Sequence, residues 1–248
     1  FPQEGFEVIE NELYFNGISM MDIIQKYGTP LKLIYLPKIS SQISKAKSLF
    51  KKAFKEHKYT GKYYYCYCTK SSHFKHMLEE VLKNDVHIET SYAYDINIIR
   101  KLYEKKLVDK QKYILCNGFK TRTYTTKIAA LINDGFVNVI PILDNKSEIE
   151  AYQRTVKGTC NIGIRIAAEE EPTFEFYTSR LGIRWRDILE FYVQKIHNNK
   201  KFNLKMLHFF INTGIRDNAY YWSELNKALN VYCQLRKICP TLDSINIG

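Results

Sequence analysis

The sequence predicts an α/β fold of the (β/α)8 TIM-barrel type, and three observations support that class. Short apolar runs typical of strands alternate with amphipathic helical patterns along the chain. Successive strand-like runs begin about 23 to 44 residues apart, and a strand, a crossover helix and two turns need about that much chain. Polar residues stand at the carboxyl ends of these runs, where a barrel builds its active site.

The predicted elements begin with an opening strand, LKLIYLP at residues 31–37, and a basic amphipathic helix at 40–57. Seven further strands are predicted at 62–70, 86–91, 113–118, 138–143, 161–166, 205–211 and 244–248. Helical patterns fill the gaps at 72–83, 92–105, 121–134, 147–155, 185–197 and 220–237. No internal repeat or low-complexity stretch divides the chain. We therefore expect an N-terminal segment with the opening strand at 1–38 and one barrel at 39–248.

The composition is that of an ordinary globular protein, 45% hydrophobic and 25% charged over 248 residues. Its net charge of +11 permits attraction to nucleic acid. The lysines are spread over several helical segments, however, and we interpret them as solvated faces; nucleic-acid binding stays an alternative that rests on charge alone. The six cysteines lack metal-binding spacing, and no run is long enough to cross a membrane or resembles a signal peptide. We expect a cytoplasmic protein without a membrane or nucleic-acid partner.

Five polar residues stand at or just past the ends of separate predicted strands, namely Lys70, Ser91, Asn117, Asp144 and Asn212. Each position is also suited to capping the next helix. Asn145 with Glu148 fits a capping box, and Ser71 or Ser72 could cap the helix after the Lys70 strand. For any one residue capping is the simpler interpretation, but in a barrel all five would face one mouth.

The stretch KYYYCYCTKSSHF, from Lys62 to Phe74, ends an apolar strand on a single amine, that of Lys70. Such a lysine is either an ordinary surface strand end or a reactive residue. Desolvation would lower its pKa and make the amine a nucleophile towards an aldehyde such as pyridoxal phosphate. The stretch alone favours an ordinary surface lysine. The grouping of polar strand ends at one mouth of the predicted barrel favours a reactive lysine.

Motifs along the whole chain resemble those of the fold-type III pyridoxal-phosphate decarboxylases, whose alanine-racemase-like barrel carries the cofactor lysine on its first strand. The biosynthetic arginine decarboxylase branch is the most similar, above all in CNGFK at 116–120. The other motifs are YGTPLKLIYL (27–36), YCTK ending at Lys70, HIETSYAYDI (87–96), RIAAEEE from Arg165, SRLGI from Ser179, LHFFINTG (207–214) and INIG (245–248).

The resemblance implies a role for each matching residue. Lys70 would bind pyridoxal phosphate covalently and take part in proton transfer, and the cofactor would absorb the electrons left by loss of carbon dioxide. Lys70 and His208 are the expected catalytic residues. The expected cofactor-binding set is Lys70, Glu89, Arg165, His208, Phe210, Thr213 and Gly248.

Several of these positions have a simpler alternative. Arg165 could instead form an ion pair at the surface with one of the glutamates Glu169 to Glu171. His208 and Phe210 lie on one strand face and would be equally suited to the barrel core. The Thr213 hydroxyl and the amides around Gly248 could hold the phosphate, but a plain turn glycine is the simpler interpretation of Gly248.

The sequence also departs from the family pattern. A Ser71–Ser72 pair follows the lysine, Phe210 stands where a ring-stacking histidine is expected, and Asn212–Thr213 replaces Gly-Ser. Tyr92 stands where the arginine branch tends to have serine. The family's last barrel strand and its C-terminal β domain would lie beyond residue 248, so we expect an incomplete barrel.

The function implied by the resemblance is decarboxylation of a basic amino acid, arginine to agmatine in polyamine biosynthesis. Alternatives are a diaminopimelate, ornithine or carboxynorspermidine decarboxylase, or a non-catalytic regulatory homologue that binds pyridoxal phosphate. The expected partners are a small amino-acid substrate and further copies of the same chain, as a homodimer or a higher homo-oligomer. Mg²⁺ is a second expected cofactor, beside pyridoxal phosphate.

Overall fold

The computed structural model describes residues 4–167, 181–211 and 218–248. The chain divides into two compact units, Phe1–Lys38 and Ile39–Gly248. The described residues form ten strands and eight helices. None of these helices combines the length and apolarity that a membrane crossing requires.

The first unit contains a small antiparallel sheet, which the sequence analysis did not anticipate. Strands β1 (Phe6–Ile9), β2 (Glu12–Phe15) and β3 (Ile18–Ser19) pair in that order, and helix α1 (Met20–Tyr27) follows. Tight two-residue turns join the strands, and their residues adopt positive φ, including Asn11 and Asn16. The opening strand predicted at 31–37 is wrong, because residues 31–36 make no strand pairing and Pro37 already begins a helix.

The second unit is a sheet of seven parallel strands joined by helices. The strands are β4 (Cys66–Cys68), β5 (His87–Thr90), β6 (Ile114–Cys116), β7 (Val139–Leu143), β8 (Cys160–Ile166), β9 (Phe202–Phe209) and β10 (Ser244–Asn246). The helices are α2 (Pro37–Glu56), α3 (Lys75–Leu82), α4 (Ala93–Glu104), α5 (Arg122–Asn133), α6 (Glu148–Thr155), α7 (Trp185–Lys195) and α8 (Asn218–Arg236). All seven strands and all seven helices predicted here are confirmed.

The strands lie in chain order from β4 to β10, and every neighbouring pair is parallel. This is the strand order of a (β/α) barrel, and it confirms the predicted fold class. Apolar side chains cover both faces, as expected for parallel strands buried on two sides. One face packs against the helices in a large core, and the other carries a smaller cluster of Leu115, Ile140, Ile142 and Met206.

Candidate active site

A hydrogen-bonded group of polar side chains lies at the carboxyl ends of β5, β6, β9 and β10. The Asn117 amide donates to Glu89 Oε1 at 3.2 Å and lies 2.9 Å from His208 Nε2. The Asn246 amide donates to the other Glu89 oxygen at 3.1 Å. We call these four residues the amide–histidine network. It joins residues that are up to 157 positions apart along the chain.

Strand register explains why these residues meet. His208 on β9 lies opposite both Arg165 on β8 and Asn246 on β10. Side chains at paired positions of parallel strands point to the same face, so the three form one row across the sheet. Asn117 follows β6 directly, and its backbone N–H continues the ladder by donating to the Thr90 carbonyl.

Burial governs the electrostatics of His208, of which only 1% is exposed. Burial lowers the pKa of this imidazole to about 3, and the nearby positive charge of Arg165 adds to the effect, while acceptors on Asn246 oppose it. Among the described residues, its Nδ1 atom finds no hydrogen-bond partner of good geometry. His208 is therefore a neutral imidazole at physiological pH.

A second group holds four charged side chains at the ends of β6, β7 and β8. The fully buried Lys120 ammonium donates to the carbonyls of Gly118, at 2.7 Å, and Ile142. It also lies 3.5 Å from Asp144 Oδ2 and 3.7 Å from Glu148 Oε2. The Arg165 guanidinium approaches the other Asp144 oxygen at 3.9 Å. We call Lys120, Asp144, Glu148 and Arg165 the charge cluster.

Both carboxyl groups of the charge cluster ionise less readily than usual. Burial raises the pKa of Asp144, although the positive charges of Lys120 and Arg165 act against it. Burial also raises the pKa of Glu148 to about 7, against the attraction of Lys120 and the hydrogen bond from the Asp144 amide. The cluster therefore changes its net charge near neutral pH.

Lys70 follows β4 in a turn, and its side chain is exposed. The preceding residue is anchored firmly, because the Thr69 hydroxyl donates to Asp95 Oδ2 at 2.7 Å. The Ser91 amide donates to the same oxygen at 2.8 Å. Asp95 thus ties the end of β4, next to Lys70, to the start of α4.

Two predicted cofactor residues, Phe210 and Gly248, lie near the ends of β9 and β10. Phe210 follows β9, is 42% exposed, and has the Arg165 guanidinium 6.0 Å from its ring centroid. Gly248 has φ +91°, and a Cβ there would meet Phe210 Cδ2 at 3.0 Å. Its amide already donates to Asn246 Oδ1 at 2.9 Å. Thr213, like Asn212, lies outside the described residues.

The structure corrects some of the simpler alternatives. Arg165 is 5% exposed, so a surface position is wrong for it, and residues 169–171 lie outside the described part of the chain. Capping by Ser71 or Ser72 is also wrong, since Phe74 precedes α3 and no side chain caps it. Asn145 Oδ1 accepts from the amides of Ser147 and Glu148, as a cap does, but the other half of the predicted capping box is wrong, because the Glu148 carboxylate accepts from the Asp144 amide.

Sequence reasoning missed two residues of the site, Lys120 and Asn246. Both lie inside motifs that the family resemblance had singled out, CNGFK and INIG, but the inferences drawn from those motifs stopped at other positions. Asn117 and Asp144 were recognised only as polar strand ends. A signal for Lys120 existed, because a lysine just after a buried strand end, followed by a helix start, invites a search for nearby carboxylates.

In a barrel-type sheet, a lysine and buried polar side chains at the carboxyl ends of the strands stand where proteins of this fold bind small ligands. Comparison with known families identifies the class. Residues 40–248 match the pyridoxal binding domain of the pyridoxal-dependent decarboxylases. The chain belongs to this family, as the motif resemblance predicted.

Several relatives resemble the chain over most of its length. Biosynthetic arginine decarboxylase 2 of Synechocystis is 22% identical over 255 aligned residues, covering 94% of this chain and 38% of that protein. The crystal structure of biosynthetic arginine decarboxylase from Campylobacter jejuni superposes with a TM-score of 0.74 at 22% identity, covering 98% of this chain and 42% of the other.

Diaminopimelate decarboxylase from M. jannaschii, solved with L-lysine, gives a TM-score of 0.80 at 18% identity and covers 98% of this chain and 56% of its own. At these identities the structural likenesses establish the shared fold. The chain spans less than two fifths of the length of the curated arginine decarboxylases it matches in sequence.

Proposed function

We propose that the protein decarboxylates a basic amino acid with pyridoxal phosphate as cofactor, and that the substrate is arginine and the product agmatine, for polyamine synthesis. The family match over residues 40–248 carries the proposal. The names of the curated relatives and the CNGFK motif support arginine over diaminopimelate, ornithine and carboxynorspermidine.

The described residues fit pyridoxal phosphate. An exposed amine, Lys70, stands at the carboxyl end of β4, and His208 Nδ1 is a buried polar atom without a hydrogen bond of good geometry to any described residue. Gly248 leaves room beside Phe210 that a larger residue would fill. When bound, the cofactor supplies an electron sink for the decarboxylation.

Each site residue then has a distinct task. Lys70 holds the cofactor through its amine and moves protons at the reacting carbon, and Arg165 contributes positive charge. The Phe210 ring covers one face of the cofactor through apolar contact, since it can neither hydrogen-bond nor carry charge. Thr213 and the Gly248 segment hold the phosphate. Glu89 anchors the two amides that border His208.

The remaining assignments come from the family resemblance. We propose a cytoplasmic homodimer or higher homo-oligomer. No group of three or more His, Cys, Asp or Glu side chains in the described ranges is placed to hold a metal ion. The expected Mg²⁺ requirement is tested by measuring carbon dioxide release before and after a chelator is added.

The decisive experiment uses the full-length protein. The visible absorption of bound pyridoxal phosphate is recorded for the wild type, for Lys70→Ala, and for a control, Lys75→Ala, which removes an exposed lysine at the start of α3. Carbon dioxide release is then assayed from arginine, ornithine and diaminopimelate. A band lost only in Lys70→Ala, with turnover of arginine, supports the proposal, and no band in the wild type refutes it.

A second candidate is a regulatory homologue that binds pyridoxal phosphate without turning over substrate. The observation that favours it is Phe210, whose half-exposed ring stands where the family has a histidine. In that case the absorption band depends on Lys70, but none of the three amino acids releases carbon dioxide. Restoring the histidine with Phe210→His would then be expected to produce measurable turnover.

A further inference from the structure

The orientation of Asn117 is fixed by its own backbone neighbour. The Gly118 amide donates to Asn117 Oδ1 at 2.9 Å, which identifies the oxygen end of the side chain. The other end is the NH2 group, and it can only donate. It donates to Glu89 Oε1, and its second hydrogen points to His208 Nε2 at 2.9 Å.

Because Asn117 donates to it, His208 Nε2 must be unprotonated. A neutral imidazole carries one proton, so that proton sits on Nδ1. Asn246 has the same kind of fixed orientation, since its Oδ1 accepts from the Gly248 amide and its NH2 group donates to Glu89 Oε2. Glu89 therefore holds both amides in place, one on each side of His208.

The surroundings of His208 disfavour a second proton. Arg165 lies next to it in the strand register, Lys120 contributes a further positive charge, and Glu89 is engaged by the two amides. An imidazolium would also need to turn its Nε2–H towards the Asn117 NH2 group, donor against donor. These groups face His208 from β5, β6, β8 and β10.

We infer that Asn117 is a positioning residue that fixes His208 as the neutral Nδ1–H tautomer, and that His208 serves pyridoxal phosphate as a fixed hydrogen-bond donor. This inference rests on the proposed function. It gives His208 a binding role in place of the catalytic role expected from the sequence. Within the described residues Nδ1 makes no hydrogen bond of good geometry, so its N–H is left to donate to the cofactor.

The tautomer is measured directly by ¹⁵N NMR of the full-length protein with its cofactor removed. Histidine ring nitrogens are recorded from about pH 6 to about pH 8, and the His208 signals are assigned by their loss in His208→Gln. We expect a protonated Nδ1 and an unprotonated Nε2 across this range. A protonated Nε2, or a titration within the range, would overturn the inference.

The positioning role is tested with Asn117→Asp. A carboxylate accepts where the amide donated, so Nε2 gains a proton and the ¹⁵N pattern changes. Asn138→Asp is the matched control, because Asn138 precedes β7 at the opposite end of the strands, and it should leave the pattern unchanged. Asn117→Ser, which removes the amide without adding charge, should let His208 exchange between tautomers. A wild-type pattern in both folded Asn117 variants contradicts the role.

Adding pyridoxal phosphate then tests whether the Nδ1–H of His208 donates a hydrogen bond to the cofactor. We expect the Nδ1 signal to move on saturation, and Asn117→Asp to weaken binding of the cofactor by about two- to tenfold, the range for one neutral hydrogen bond. An Nδ1 signal that stays in place while the Lys70-dependent band forms would overturn the donor role. Failure of the wild type to bind the cofactor sinks the proposed function, whereas the tautomer is read independently in the cofactor-free protein.

Discussion

The buried carboxyl of Glu148 makes the stability of the folded protein depend on pH. Its pKa is raised from 4.5 to about 7 because burial penalises the charged form. In the unfolded chain the same group ionises near its ordinary value. Between these two values the folded state holds a proton that the unfolded state has released, so the free energy of unfolding falls as pH rises through this window.

The size of this effect follows from the two values. Each pH unit between 4.5 and about 7 corresponds to about 1.36 kcal/mol, which gives about 3 kcal/mol for the whole window. Replacing Glu148 by glutamine removes the ionisation and keeps one of the two oxygens, which accept separately from the Asp144 amide and the Asn145 side chain. Relative to the wild type, Glu148→Gln should therefore gain about 3 kcal/mol of stability between about pH 4.5 and about pH 8.

Urea unfolding of the full-length proteins, recorded at several pH values, measures this difference. Glu150→Gln is the matched control, since Glu150 is exposed and lies in the same first turn of α6. It removes the same charge near the same helix end, and its difference from the wild type should change little. A difference between Glu148→Gln and the wild type that is constant with pH would refute the burial argument.

Urea unfolding also tests two substitutions in the loop between β6 and α5. Lys120→Met removes the buried cation that lies between Asp144 and Glu148 and should cost about 3 to 5 kcal/mol, whereas Lys146→Met, at a half-exposed site, should cost less than about 0.5 kcal/mol. Equal costs would contradict the buried ion pairs. Gly118→Ala places a Cβ 2.7 Å from the Ser91 carbonyl at φ +77° and should cost about 1 to 3 kcal/mol. Gly158→Ala, with open space around it, is its control, and matching stabilities would contradict the close approach.

The parallel sheet was predictable because its elements carry their own periodicity. Buried strands of three to eight residues stand between amphipathic helices, so each apolar run marks one element. The run at 31–36 shows the limit of that signal, because apolar composition does not supply a pairing partner. The missed hairpins of the first unit had a clear signal of their own, the Asn16–Gly17 pair between short strands.

The site was predictable only in part, for a different reason. Lys70, His208 and Arg165 were found through motifs, each at or near the end of its own strand. Lys120 and Asn246 act through partners on other strands, and local sequence does not encode such contacts. Burial matters as much as position, since it makes His208 neutral and Arg165 an interior residue. Neither property follows from residue type.

The loop after β6 explains why the short CNGFK motif was informative. β6 is the third strand in the sheet order counted from β4, so its loop reaches strands on both sides. The Asn117 side chain contacts Glu89 on β5 and His208 on β9. The Lys120 side chain contacts Ile142 on β7 and Glu148 on α6. Gly118 lies between them with φ +77°. A Cβ at this position would lie 2.7 Å from the Ser91 carbonyl oxygen, so the loop has no room for a side chain there. One loop therefore holds the amide–histidine network and the charge cluster in register. A change in its backbone should disturb the His208 tautomer and the ionisation of Glu148 together, whereas substitutions confined to either side chain should disturb only one.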